Sequence, residues 1–146
     1  MDNEYLLTML DACISHATKQ LTGDEKLSPF AMVLEQDNAI RTLDHHEEED
    51  ALHYELLLEM LRFEAKEEII SAMALVSHVT IPENFSPAVS SGIRIHVEER
   101  TFEAKNTLSA RLLYVPYQLF KTKDDPTVQI HLHDPIPVGL ACEVFV

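Results

Sequence analysis

The alternation of apolar and polar residues along the chain predicts a helix at its start. Apolar residues recur there at intervals of three and four, the spacing that places side chains on one face of a helix. These residues are Leu6, Met9, Leu10, Cys13, Ala17 and Leu21. A helix is therefore expected over residues 3 to 21, with Gly23 placed to end it.

Two short apolar segments then flank a turn. Residues 30–35 and 39–43 are separated by Gln36, Asp37 and Asn38, whose side chains favour turns. A β-hairpin is expected here.

A second helix is expected from Asp44 to the region of Lys66 and Glu68. Asp44 followed by Glu47 is a variant of the capping box, and the acids through Asp50 suit the positive end of a helix dipole. The apolar residues form a broad stripe, made of Leu52, Leu56, Leu57, Met60, Leu61 and Phe63. Such a stripe predicts contact with both a sheet and another helix.

The remainder of the chain is rich in β-branched and aromatic residues and predicts further strands. The expected strands are residues 72–81, 93–98, 108–120 and 128–133, and residues 142–146 could add a last short strand. In the strand that begins at Ile93, apolar residues alternate with Arg94, His96 and Glu98. Because successive side chains of a strand point to opposite faces, these three polar side chains are expected to face solvent.

The expected element order, α-β-β-α-β-β-β-β, indicates an α+β fold. Two main helices are expected to pack on one face of a single antiparallel, or mixed, sheet of five to six strands. No repeat or change of composition marks a linker, so residues 1–146 are expected to form one globular domain. The element order is similar to that of profilin and the roadblock proteins, a likeness of fold that carries no function.

Charge and composition narrow the classes of partner. The chain has 11 Lys and Arg against 25 Asp and Glu, a net charge of -14, which repels nucleic acid and anionic membrane surfaces and is compatible with a basic protein partner. The first residues show no signal-peptide pattern, and no apolar stretch is long enough to span a membrane. The two cysteines, Cys13 and Cys142, do not form a disulfide framework. A cytoplasmic protein is expected.

Common catalytic motifs are absent from the sequence. Three glycines are too few for the glycine-rich nucleotide loops, and there is no G-x-S-x-G, H-E-x-x-H or C-x-x-C motif. Cys13 and His16 are neighbours on a helix and could form a nucleophile with its base, but a buried thiol is the stronger interpretation. The sequence does not decide whether the protein is an enzyme, and it indicates no cofactor unless a divalent metal binds.

Eight histidines are the chemically suggestive excess, and three of the polar residues on the second helix could bind that metal. His46, Asp50 and His53 lie at helical positions i, i+4 and i+7, on one side of the helix. The competing interpretation is an acidic helix N-terminus with exposed histidines.

A second group of histidines is expected on the sheet. His131 and His133 share a strand face, and His96 joins them if the strand registers match. Such a patch could bind a ligand or respond to pH, because histidine changes charge near neutral pH. The competing interpretation is the solvated face of an antiparallel sheet.

The strand at residues 108–120 is apolar on both faces, which is typical of a sheet centre or a subunit contact. Leu113, Val115 and Tyr117 are its expected oligomer interface. The sequence thus favours a non-catalytic protein-interaction or regulatory module that forms a homo-oligomer. The alternatives are a metal-binding protein or small metal-dependent enzyme that uses clustered histidines, and an acidic inhibitor of a basic protein.

Overall fold

The structure is a computed structural model that describes residues 3–24, 26–43, 50–101, 107–138 and 144–145. Its elements are α1 (Asn3–Asp24), β1 (Phe30–Glu35), β2 (Ile40–Leu43), α2 (Asp50–Lys66), β3 (Ile70–Thr80), β4 (Ser91–Thr101), β5 (Thr107–Phe120), β6 (Gln129–Leu132) and β7 (Ile136–Val138). A short 3₁₀ turn at Glu83–Phe85 lies between β3 and β4. The predicted α+β class, with two helices and an antiparallel sheet, is confirmed.

The strands pair antiparallel in the order β2-β1-β3-β4-β5-β6. β7 also pairs with β5, next to β6: Leu132 lies opposite Tyr117, and Ile136 lies opposite Tyr114. Between them, the His133 backbone N–H donates to the Pro116 carbonyl over 2.8 Å. β6 and β7 therefore form one edge strand with an interruption along β5.

The two helices lie on opposite faces of the sheet, so the expectation that both pack on one face is wrong. β1 shows the reason, because its residues from Phe30 to Leu34 are all buried. Phe30, Met32 and Leu34 belong to the core beside α1, whereas Ala31 and Val33 belong to the core beside α2. Since alternate side chains point to opposite faces, a strand that is apolar at every position needs cover on both sides.

The α1-side core contains the apolar stripe predicted for the first helix. Leu6, Met9, Cys13, Ala17 and Leu21 are buried, and Leu10 packs against this core. The strands contribute Ile93, Ile95, Val97, Val115 and Tyr117, among others. α1 contacts β1, β3 and β6, and its core also includes side chains of β4 and β5.

The α2-side core uses a narrower stripe than the one predicted for the second helix. The buried residues recur every four positions, which gives the line His53, Leu57, Leu61 and Ala65, together with Leu58. Leu52 and Phe63, predicted as part of the stripe, are 53% and 60% exposed. α2 ends at Lys66 as expected, while the predicted start at Asp44 lies outside the described residues.

The predicted hairpin is confirmed, with β1 and β2 joined by a tight turn. The Asn38 N–H donates to the Glu35 carbonyl over 2.9 Å, and Asn38 has a φ of 71°. Asparagine tolerates this left-handed conformation better than most residues, which explains the local sequence.

The strand predictions near the end of the chain need one correction. The expected strand at 142–146 is described only at Val144 and Phe145, which are buried but not in a strand. The strand β7 was missed because Pro135 and Pro137 bracket its first residue, and proline is a signal against a strand.

A Schellman motif ends α2. The Ile69 N–H donates to the Glu64 carbonyl over 2.9 Å and the Glu68 N–H to the Ala65 carbonyl over 3.2 Å, with Glu68 in the left-handed region at φ 57°. The Gln36 side-chain amide donates to the Glu68 carbonyl over 2.9 Å and ties the cap to the hairpin turn. Ile69 is thereby fixed at the C-terminal end of the helix.

Replacement of Glu68 by glycine is expected to stabilise the fold. The left-handed conformation costs a residue with a Cβ about 1 kcal/mol, which glycine avoids. Thermal unfolding of Glu68→Gly should show a rise in Tm of about 2–4 °C. Glu67→Gly is the matched control, because Glu67 is not left-handed and glycine there should lower Tm. A lower Tm in both variants would contradict the assigned cap.

Candidate functional site

The residues predicted to bind a metal on α2 are only partly described. His46 lies outside the described residues, and Asp50 is the first residue of α2. His53 is 4% exposed, because it lies on the same helical line as the buried Leu57 and Leu61. Within the ranges that the structure describes, no three His, Cys, Asp or Glu side chains are arranged to hold a metal ion.

The predicted sheet histidines lie on one face of the sheet but do not converge. His131 is opposite Gln118 of β5, whereas His96 is opposite Leu112 of the same strand, about 20 Å away at about 3.3 Å per residue. The rings of His131 and His133 are in contact, with their centroids 4.6 Å apart. The structure thus brings His131 and His133 together and places His96 elsewhere.

The expectation that His96 and Glu98 face solvent is wrong, since neither side chain has any exposed surface. His96 Nε2 lies 2.5 Å from Glu98 Oε2. Glu98 Oε1 accepts hydrogen bonds from the backbone N–H groups of Val144 over 2.9 Å and Phe145 over 3.0 Å. A buried carboxylate needs such partners. Glu98 therefore anchors the segment 144–145 to β4, beneath α2.

Removal of this carboxylate is expected to destabilise the protein strongly. Glu98→Ala leaves the two backbone N–H groups and the His96 ring without their acceptor in the core, a loss of about 3 kcal/mol. Glu98→Gln keeps one oxygen as acceptor and should cost less. Urea unfolding measures both, with Glu99→Ala as control because Glu99 is partly exposed. Equal stability of Glu98→Ala and Glu99→Ala would contradict the anchoring contact.

Cys13 is a core residue, in agreement with the interpretation of the sequence as a buried thiol. Its side chain is completely buried, and burial raises the pKa of its thiol to about 12. The reactive thiolate is therefore strongly disfavoured at neutral pH. The ring of His16 packs edge-on against Phe30, with centroids 4.4 Å apart. These contacts contradict the hypothesis of a nucleophile at Cys13.

Cys13 is expected to resist thiol reagents in the folded protein. In a Cys142→Ser background, a disulfide reagent should modify Cys13 about a thousandfold or more slowly in native buffer than in urea. The reaction is slow in native buffer because the thiol becomes accessible only when the protein unfolds. Absorbance of the released thiolate measures the rate. A fast reaction in native buffer would show that Cys13 is accessible.

The residues expected at an oligomer interface lie in the core of the same chain. Val115 and Tyr117 are 4% and 7% exposed, and Leu113 packs against the α1-side core. Burial also raises the pKa of the Tyr117 hydroxyl. These three side chains do not supply an exposed apolar patch. An oligomer formed through β5 therefore stays a prediction, and these residues give it no exposed contact surface.

An exposed apolar groove lies between α2 and β2. Phe63 is 60% exposed, Ile69 is 39% exposed, and Met60 is partly buried and packs against the α2-side core. Arg41, Glu59 and Glu64 complete the lining of a groove of about 580 Å³. Sequence patterning missed it because Phe63 was assigned to the buried stripe, although it lies off the four-residue line that ends at Ala65.

The charges around this groove leave an excess of carboxylates. Arg41 Nε lies 3.2 Å from Glu35 Oε2, and the Arg41 guanidinium pairs with both carboxylate oxygens of Glu64. The pKa of Arg41 is raised by its hydrogen bonds to Glu64. No ion pair to Glu59 is present among the described residues, and Glu59 is exposed. A positively charged partner would therefore complement the rim.

The chain was compared with known proteins in three ways. Protein-family models gave no match, and searches of curated proteins and of solved structures gave none either. Neither helix of the described ranges combines the length and the apolar character that crossing a membrane requires.

Proposed function

We propose that this chain is a non-catalytic interaction module whose groove between α2 and β2 binds a basic protein segment through an apolar anchor. The observation that carries the proposal is the exposure of Phe63 beside Ile69. Large apolar side chains that cluster on a surface and are rimmed by charged residues are typical of interaction sites.

The rim favours a cationic partner. Glu59 has no described ion-pair partner, and Arg41 is already engaged by two glutamates. The net charge of -14 increases the rate at which a positively charged partner meets the surface and disfavours nucleic acid. The proposed occupant is therefore a segment with one large apolar side chain flanked by lysine or arginine, in a cytoplasmic partner.

The edge of the sheet beside the groove supports an extended occupant. β2 is the first strand in the sheet order and pairs, among the described strands, only with β1. Its outer backbone groups can therefore hydrogen-bond to an added strand. A segment that lies along β2 would run beside the groove, whose lining includes Arg41 of β2 together with Phe63 and Ile69.

Synthetic peptides test this proposal. A set of decapeptides with a central Phe, Leu or Ile flanked by lysines is compared with the same set flanked by glutamates, by fluorescence anisotropy. The lysine-flanked peptides should bind with a Kd of about 10–100 μM, and the glutamate-flanked peptides should not bind. Phe63→Asp should raise that Kd about tenfold or more, because it places a charge in the apolar site.

Matched variants separate the groove from general effects of charge and hydrophobicity. Leu52→Asp removes a 53% exposed apolar residue from the same helix but outside the groove, so it should leave the Kd unchanged. Glu59→Lys should weaken binding more than Glu55→Lys, since Glu55 does not line the groove. Equal effects of Phe63→Asp and Leu52→Asp, or equal binding of both peptide sets, would contradict the proposal.

A further inference from the structure

A second cluster of side chains lies on the α2 side of the sheet, at the N-terminal half of α2. Its centre is Arg94 of β4, which is partly exposed. Arg94 Nη1 donates to the Tyr54 hydroxyl over 2.6 Å, and the guanidinium carbon lies 5.7 Å from the centroid of the Tyr54 ring. The contact with α2 holds the guanidinium in place.

The strand registers line up four side chains across the sheet. Ser77 of β3 and Tyr114 of β5 both lie opposite Arg94, and Ile136 of β7 lies opposite Tyr114. Directly opposite residues of antiparallel strands share a face, with Cβ atoms about 4.5–5.5 Å apart. Arg94 is therefore flanked by a hydroxyl on one side and by an aromatic ring on the other.

Phe85, from the 3₁₀ turn, packs against one member of this row, Tyr114. Its ring meets that of Tyr114 edge to face, with centroids 5.6 Å apart. Arg94 thus lies beside two tyrosines, Tyr54 and Tyr114, and Phe85 contacts the second of them. Tyrosine and arginine are two of the three residue types that are most enriched at binding hot spots.

Arg94 is not paired with a carboxylate within the part of the chain that the structure describes, although the chain is strongly acidic. Among the described residues, no Asp or Glu forms an ion pair with Arg94, whereas Arg41 is held by two glutamates. A partly buried guanidinium without a carboxylate is incompletely compensated by one hydroxyl and one aromatic face. A carboxylate from outside would supply a paired, two-point hydrogen bond.

We infer that the Arg94 cluster is a binding site for a carboxylate carried on an aromatic or apolar body. The guanidinium binds the carboxylate, and the rings of Tyr114 and Phe85 contact the body together with Ile136. A single negative charge is required, because the net charge of -14 repels more highly charged anions. The carboxylate can belong to a small acid or to the C-terminus of a peptide, since both present the same group.

Benzoate is the probe that tests this site, with titration followed by NMR of backbone amides, aromatic rings and the arginine side-chain N–H groups. Benzoate should shift the Arg94, Tyr114 and Phe85 signals with a Kd of about 1–10 mM. Benzamide has the ring without the charge, and acetate has the charge without the ring. Each should bind about tenfold more weakly, because the site uses both features.

Arginine variants provide the decisive comparison. Arg94→Gln should raise the benzoate Kd about tenfold or more, and Arg94→Lys should raise it less, since lysine keeps the charge but loses the planar fork. Arg111→Gln is the matched control, because Arg111 is an exposed arginine of the adjacent strand. If Arg94→Gln fails to fold, the test uses the benzoate Kd of Arg94→Lys and the residues whose NMR signals benzoate shifts in the unaltered protein.

The outcomes that contradict the inference are distinct. Equal binding of benzoate and benzamide, equal weakening by Arg94→Gln and Arg111→Gln, or shifts confined to other residues would each overturn it. Titration with N-acetyl-phenylalanine distinguishes the two sources of carboxylate. Tighter binding than benzoate indicates a peptide C-terminus, and weaker binding indicates a small acid.

Discussion

Packing of a helix against each face of one antiparallel sheet is the constraint on which the rest of this structure depends. Strands β1 and β3 are buried along most of their length, so neither face of that half can be left to water. α1 covers one face from β1 to β6, whereas α2 packs mainly on β1 and β3 of the other. The α2-side face is therefore buried at β1 and β3 and open to solvent at the part of β5 that pairs with β6.

This uneven cover explains how polar residues of the same face differ in environment. Glu98 and His96 lie in the covered half, where the carboxylate is satisfied by the imidazole and by two backbone N–H groups. Gln118 and His131 lie in the other half and are exposed. The groove at Phe63 and the cluster at Arg94 lie along α2, where the cover of this face ends.

Local sequence patterns predicted the parts of the fold that depend on neighbouring residues. The stripe of α1 and the hairpin turn at Asn38 follow from spacing and turn chemistry, and both are present. The position of α2 was not predicted, although the run Phe30–Leu34 is apolar at every position and so indicates a strand with cover on both faces. Local patterns do not show which distant helix supplies the second cover.

The sites were less predictable than the fold, for a related reason. Glu98 has the alternating pattern of a solvent-facing residue, and its burial depends on N–H groups supplied from Val144 and Phe145, more than forty positions later in the chain. The acidic character of the groove follows from composition, but its location depends on Phe63 lying off the buried line of α2. Arg94 became notable only once its neighbours on three other strands were known.

Solvent accessibility of the histidine rings tests the central claim most directly. His96 and His131 lie on the same sheet face, but His96 is buried and His131 is exposed. A soluble gadolinium relaxation agent should broaden the NMR ring signals of His131 and leave those of His96 sharp. Equal broadening of the two rings would show that α2 and the segment 144–145 do not cover this half of the sheet.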